Sequence, residues 1–87
     1  MAEYAVTFSR SARKELEKLP PRLVKRIFPK IESLAAVPRP TGCKKLKGGQ
    51  NLWRIRIGDY RVVYLLDDSR ALVDVIAVRH RSEAYRD

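Results

Sequence analysis

Acidic residues are scarce in this chain of 87, ten Asp and Glu against nineteen Lys and Arg, and the net charge is +9. Cysteine is rarer still. Cys43 stands alone, which excludes an internal disulfide framework and any cysteine-rich zinc site. With one His and scattered acids there is no ligand spacing for another metal, so neither a metal nor a cofactor is expected. Long apolar runs are missing: the longest, residues 62–66, falls far short of the roughly 20 residues that a helical span of a bilayer needs. Glu3 and Tyr4 stand where a secretion leader would carry Lys or Arg. A cytoplasmic protein without membrane contact is therefore expected. Gly42, Gly48 and Gly49 do not have the spacing of a nucleotide-phosphate loop.

The length leaves room for a single domain, 1–87, without internal repeats or low-complexity segments. A chain this short buries only about 60% of its unfolded surface, so its stability margin is thin. The excess of positive charge steers polyanions toward the surface. The same excess would also serve solubility alone, and the placement of the charges has to decide between the two.

Residues 3–8 alternate, with Tyr4, Val6 and Phe8 on one side, which predicts a short strand. Ser9 or Ser11 then caps a helix, and Glu15 is read as favouring its positive end. Ala12, Leu16 and Leu19 form a narrow apolar stripe. Pro20 stops this helix and Pro21 opens a second, whose apolar face holds Leu23, Ile27, Ile31 and Leu34, joined by Val24 and Phe28. Pro29 inside it predicts a kink or an early end. Arg10, Lys14, Lys18, Lys25 and Lys30 read as a solvated outer face. Residues 37–50, rich in Pro, Gly and Lys, read as a basic loop. Three strands follow, over residues 52–57, 60–66 and 71–79, with turn residues between them and β-branched content within. The expected fold is α+β: an N-terminal strand, a helical hairpin and a three-stranded antiparallel meander, with the helices on one face of the sheet.

Alternation sets Trp53, Ile55 and Ile57 on one side of their strand and Arg54 and Arg56 on the other. A meander can bring Arg61 and Arg79 to the same face. Guanidiniums gathered there repel one another and suit a polyanion, because Arg offers a planar fork to phosphate oxygens. Charge that only protects an edge would favour Lys and need one or two residues. Tyr85, beside Arg86, can stack on an unpaired base or close the core. His80 reads as a surface residue as readily as a proton carrier, and Trp53, Tyr60 and Tyr64 as core or half-core.

At these residues the chain resembles the RelE/ParE superfamily of toxins from type II toxin–antitoxin pairs, and more narrowly the RelE branch. The resemblance is carried by Tyr4, Val6 and Phe8 with Ala12-Arg13-Lys14-Glu15-Leu16, by Lys45-Leu46-Lys47-Gly48, by the stretch from Leu52-Trp53-Arg54 to Tyr60-Arg61-Val62-Val63-Tyr64, and by Arg79-His80-Arg81-Ser82-Glu83-Ala84-Tyr85. It spans nearly the whole chain. It implies a RelE-like microbial RNase fold and a metal-independent endoribonuclease that cuts messenger RNA in the ribosomal A site by 2′-hydroxyl attack. By position it implies Arg54, Arg56, Arg61, Arg79 and Tyr85 as the catalytic set, with Lys44, Lys45, Lys47, His80 and Arg81 binding substrate. Familiar RelE members carry lysines where this chain has Arg54 and Arg56; arginine keeps the charge but does not trade a proton. The implied partners are the ribosome with its message, an acidic RelB-like antitoxin, and operator DNA through the antitoxin complex. The alternative within the superfamily is a ParE-like poison of DNA gyrase, which has no nuclease activity.

Overall fold

The computed structural model describes residues 3–48 and 51–84. Strand β1 (Ala5–Phe8) leads into helix α1 (Arg10–Glu17), which Ser9 caps by accepting the Ala12 N–H at 3.1 Å. Glu15 lies beyond the first turn, which holds no acid. Its expected role at the positive helix end is corrected below. Pro20 and Pro21 do what their chemistry dictates: Pro20 is the N-cap of α2 (Pro21–Glu32), and Pro21 takes the position where a missing N–H costs nothing. Pro29 does not end this helix early; α2 runs on to Glu32 and passes into a 3₁₀ turn, Ser33–Ala35.

The meander follows as β3 (Leu52–Ile57), β4 (Tyr60–Asp67) and β5 (Leu72–His80), ahead of a short helix α3 (Arg81–Ala84). Two features extend the expected arrangement. Lys44–Lys45, read as part of a loop, forms a short strand β2 antiparallel to β3. Strand β1 pairs in parallel with β5, giving a five-stranded sheet in the order β1-β5-β4-β3-β2. The helical hairpin supplies the crossover that parallel pairing requires.

The helices cover one sheet face only. Ala12, Leu16, Ile27, Ile31 and Leu34 pack on Ile55, Ile57, Val62, Tyr64, Leu66, Val73, Val75 and Val78. Each large side chain fully buried there contributes about 1.5–3 kcal/mol. Phe28 stays at the surface and stacks on Phe8 with ring centroids 5.9 Å apart. No helix among the described residues is long and apolar enough to cross a membrane.

A polar cluster ties the loop before β2 to the start of β1 and to the turn between β4 and β5. Asp68 takes both Nη atoms of Arg39, at 3.2 and 2.7 Å, and the Tyr4 hydroxyl at 2.6 Å. Those bonds, Arg39 first, hold the Asp68 carboxyl below its ordinary value of 3.8. Asp67 is lowered in the same direction, chiefly by the Ser69 hydroxyl. A depressed carboxyl stabilises the fold above its unfolded value, and that contribution is lost as pH falls through the folded one. The thermal midpoint is therefore expected to drop below about pH 4, the ordinary carboxylate range, and Asp68→Asn to flatten that decline. Equal acid sensitivity in both proteins, followed by thermal melts from pH 7 to pH 2, counts against the cluster.

Candidate nucleic-acid interface

The sheet face opposite the helices carries the arginines. Register places Arg56 directly opposite Arg61, and Arg61 opposite Arg79, so three guanidinium side chains form one row across three strands. Opposed residues of this kind have Cβ atoms about 4.5–5.5 Å apart. Arg54 lies two residues along β3 on the same face, between Lys44 and Val63. Arg54, Arg56, Arg61 and Arg79 thus share one face of the sheet, as a meander allows.

A one-residue bulge makes it possible. Val63 and Tyr64, consecutive in β4, face Ala77 and Val75, so Ile76 has no counterpart of its own. Strict alternation from the buried Val73 and Val75 would turn residue 79 toward the helices. The extra residue shifts the parity, burying Val78 and sending Ala77 and Arg79 to the open face.

Two hollows flank the row. A basin of about 320 Å³ is lined by Lys47, Arg61 and Arg79 over an apolar floor that includes Leu52, Val63 and Ala77. A smaller one, about 80 Å³, is lined by Arg56, Arg61, Arg81 and the Gly58–Asp59 turn. Arg61 lines both. Arg81 is fixed there by its backbone N–H, which donates to the Asp59 carbonyl at 2.7 Å.

Not every expected residue joins. Arg54 shares the face but is only 5% exposed, and it is engaged within the fold. It lies beneath the surface rather than standing open to a ligand. Lys45 pairs with Trp53 and so lies on the other side of the sheet from Lys44. His80 is turned to that side too: its ring stands edge-on to Tyr60 at 5.4 Å, and its Nδ1 accepts the Ser82 N–H. Tyr85 lies outside the described residues. Trp53 packs under the Arg39 guanidinium, 4.9 Å from the ring centroid.

Two further cations stand nearby: Arg26, which strand alternation gives no reason to single out, and Lys30, read from the sequence as solvated face. Arg26 and Lys30, four apart on α2, meet Arg56 around a cavity of about 360 Å³ that the Ser33 and Thr41 side chains also line. The Arg26 guanidinium lies against Gly58, at φ 59°; a Cβ there would sit 3.2 Å from an Arg26 nitrogen. The spacing of four between Arg26 and Lys30 was the visible signal, but it reads equally as a solvated face.

Comparisons with known proteins bear on the family and the fold. A family model described as the ParE toxin of the type II toxin–antitoxin system parDE matches residues 6–85. Toxin RelG of Mycobacterium tuberculosis is 32% identical over 84 residues, covering 95% of this chain and 97% of the relative. The toxin–antitoxin complex RelBE2 from the same organism matches with a TM-score of 0.79 at 32% identity, over 91% of this chain and 99% of that chain. The isolated E. coli RelE toxin matches with a TM-score of 0.78 at 31% identity, over 94% and 90%. The chain thus belongs to the RelE/ParE superfamily and is a RelE-family toxin of a type II toxin–antitoxin system.

Proposed function

We propose that this toxin is a ribosome-dependent endoribonuclease that cuts messenger RNA in the ribosomal A site. The observation that supports the reading is the cross-strand row of Arg56, Arg61 and Arg79 on the sheet face opposite α1 and α2. Like charges directly opposed in a sheet cost stability, and a polyanion laid over the row would offset that cost. In the proposed reaction the ribose 2′-oxygen bonds to the adjacent phosphorus and the bond to the 5′-oxygen breaks. A cyclic phosphate and a free 5′-hydroxyl remain. The nucleophile comes from the RNA, so the reaction as drawn calls on no metal or cofactor.

Arg61 and Arg79 stabilise the charge that builds on the phosphoryl oxygens, and Arg56 holds the neighbouring phosphate. Arg54 contributes its field from below. Lys44, Lys47 and Arg81 guide the flanking strand. Arginine stays charged, so the protons move elsewhere. Tyr85 is the carrier in this reading, since His80 faces away from the row.

Relatives of this chain were solved as complexes with RelB antitoxins, from Pyrococcus horikoshii and E. coli among others. By extension, an acidic RelB-like antitoxin neutralises this +9 chain and joins it in repressing their operon, the operator being bound through that complex. Both act in the cytoplasm. The ParE description of the matching family model favours a second reading, a gyrase poison without nuclease activity. Mapping transcript 5′ ends after brief induction separates the two. Cuts confined to translated regions, absent with Arg61→Ala, are the expected result; intact transcripts with a DNA-damage response would sink the endonuclease reading.

A further inference from the structure

Beyond Phe8, the edge of β5 loses its strand neighbour, and α1 takes over the exposed backbone groups. The Ser9 and Ser11 hydroxyls donate to the carbonyl of the bulged Ile76, at 3.2 and 3.4 Å. Two residues on, the Val78 N–H donates to Oε1 of Glu15 at 2.8 Å. The second oxygen of that carboxylate, Oε2, accepts the Nε–H of Arg79 at 3.1 Å. One carboxylate therefore grips both the backbone just after the bulge and the arginine that the bulge sends to the open face.

We propose that Glu15 is the positioning residue for Arg79, a role that rests on the endonuclease reading of the arginine row. The backbone bond removes the freedom of the Glu15 side chain, so the carboxylate becomes a fixed point. Holding Nε then sets the plane of the guanidinium. The two terminal amino groups, which carry four of its five N–H donors, are the fork that meets phosphate. With side chains 26% and 46% exposed, the ion pair adds little to stability. A carboxylate beside a phosphate site also repels the substrate. Its contribution is therefore orientation: Glu15 weakens RNA binding and favours turnover.

That combination has a signature that a merely structural residue lacks. Glu15→Gln keeps a carbonyl for the Val78 N–H but removes the charge and the second acceptor facing Arg79. On programmed ribosomes kcat is expected to fall about tenfold, within the range that misplacing a reacting group produces, while KM holds or falls. In an Arg79→Ala background the same substitution is expected to lower kcat no further. Wild-type kcat in Glu15→Gln, or an equal loss in both backgrounds, overturns the proposal.

A second readout needs neither a variant nor RNA. In the unsubstituted protein the Arg79 Nε proton is expected to exchange with water far more slowly than that of Arg10, which lies exposed at the start of α1. Equal exchange rates overturn the clamp. If the wild type cuts no RNA on ribosomes, the endonuclease reading fails, and proton exchange still tests the Glu15–Arg79 contact on its own.

Discussion

Arg61→Ala is expected to slow RNA cleavage by roughly 10²- to 10³-fold, the loss typical of removing one donor from a site that stabilises developing charge. Arg61 occupies the middle of the row, opposite both Arg56 and Arg79, and lines both hollows beside it. No other arginine of the row reaches both. A phosphate seated over the row has to pass it whichever hollow takes the neighbouring nucleotide. Growth arrest on expression is expected to disappear with it. The fold is expected to remain, because Arg61 stands on the open face of the sheet, outside the core between sheet and helices. Single-turnover cleavage on programmed ribosomes, paired with a thermal melt, checks both halves. A protein that melts at the wild-type temperature and still cuts at the wild-type rate removes the row from the chemistry.

Local rules made part of this site legible. Alternation within one strand separates Arg54 and Arg56 from Ile55 and Ile57, and that needs nothing outside residues 52–57. The hairpin was equally local, since Pro20 and Pro21 constrain the backbone wherever they occur. What escaped was set by contacts distant in sequence. The apolar run Val75-Ile76-Ala77-Val78 fits either facing of β5, and only the pairing with β4 selects the bulge that turns Arg79 outward. Strand β2 forms from residues of low strand preference because β3 offers an edge to pair with. The side on which Lys45 and His80 fall follows from those registers. Glu15 carries the clearest lesson: helix rules assign it to the dipole of its own helix, yet its partners are 63 and 64 residues away.

Tyr64→Phe is expected to leave the chemistry alone and weaken the fold, the opposite outcome to Arg61→Ala. Tyr64 is fully buried on the helix side of β4, and its hydroxyl donates to the Pro38 carbonyl at 2.8 Å. Burial pushes its phenol pKa up, so the donor persists well into the alkaline range. That bond fastens the segment leading to β2 and Lys44. Removing the hydroxyl leaves a carbonyl without its donor, at a cost of about 1–3 kcal/mol. In a domain of this size each kcal/mol moves the midpoint by about 4–8 °C. Tyr64→Ala adds a cavity and costs about 3–5 kcal/mol, a large share of the roughly 4–13 kcal/mol that a chain of this length commands. Cleavage per folded molecule at 25 °C is expected to match the wild type in Tyr64→Phe, because the hydroxyl and the arginine row lie on opposite faces of one sheet. A Tyr64→Phe protein that keeps its midpoint but loses cleavage would mean that the two faces are coupled, and that the row owes its geometry to the core beneath it.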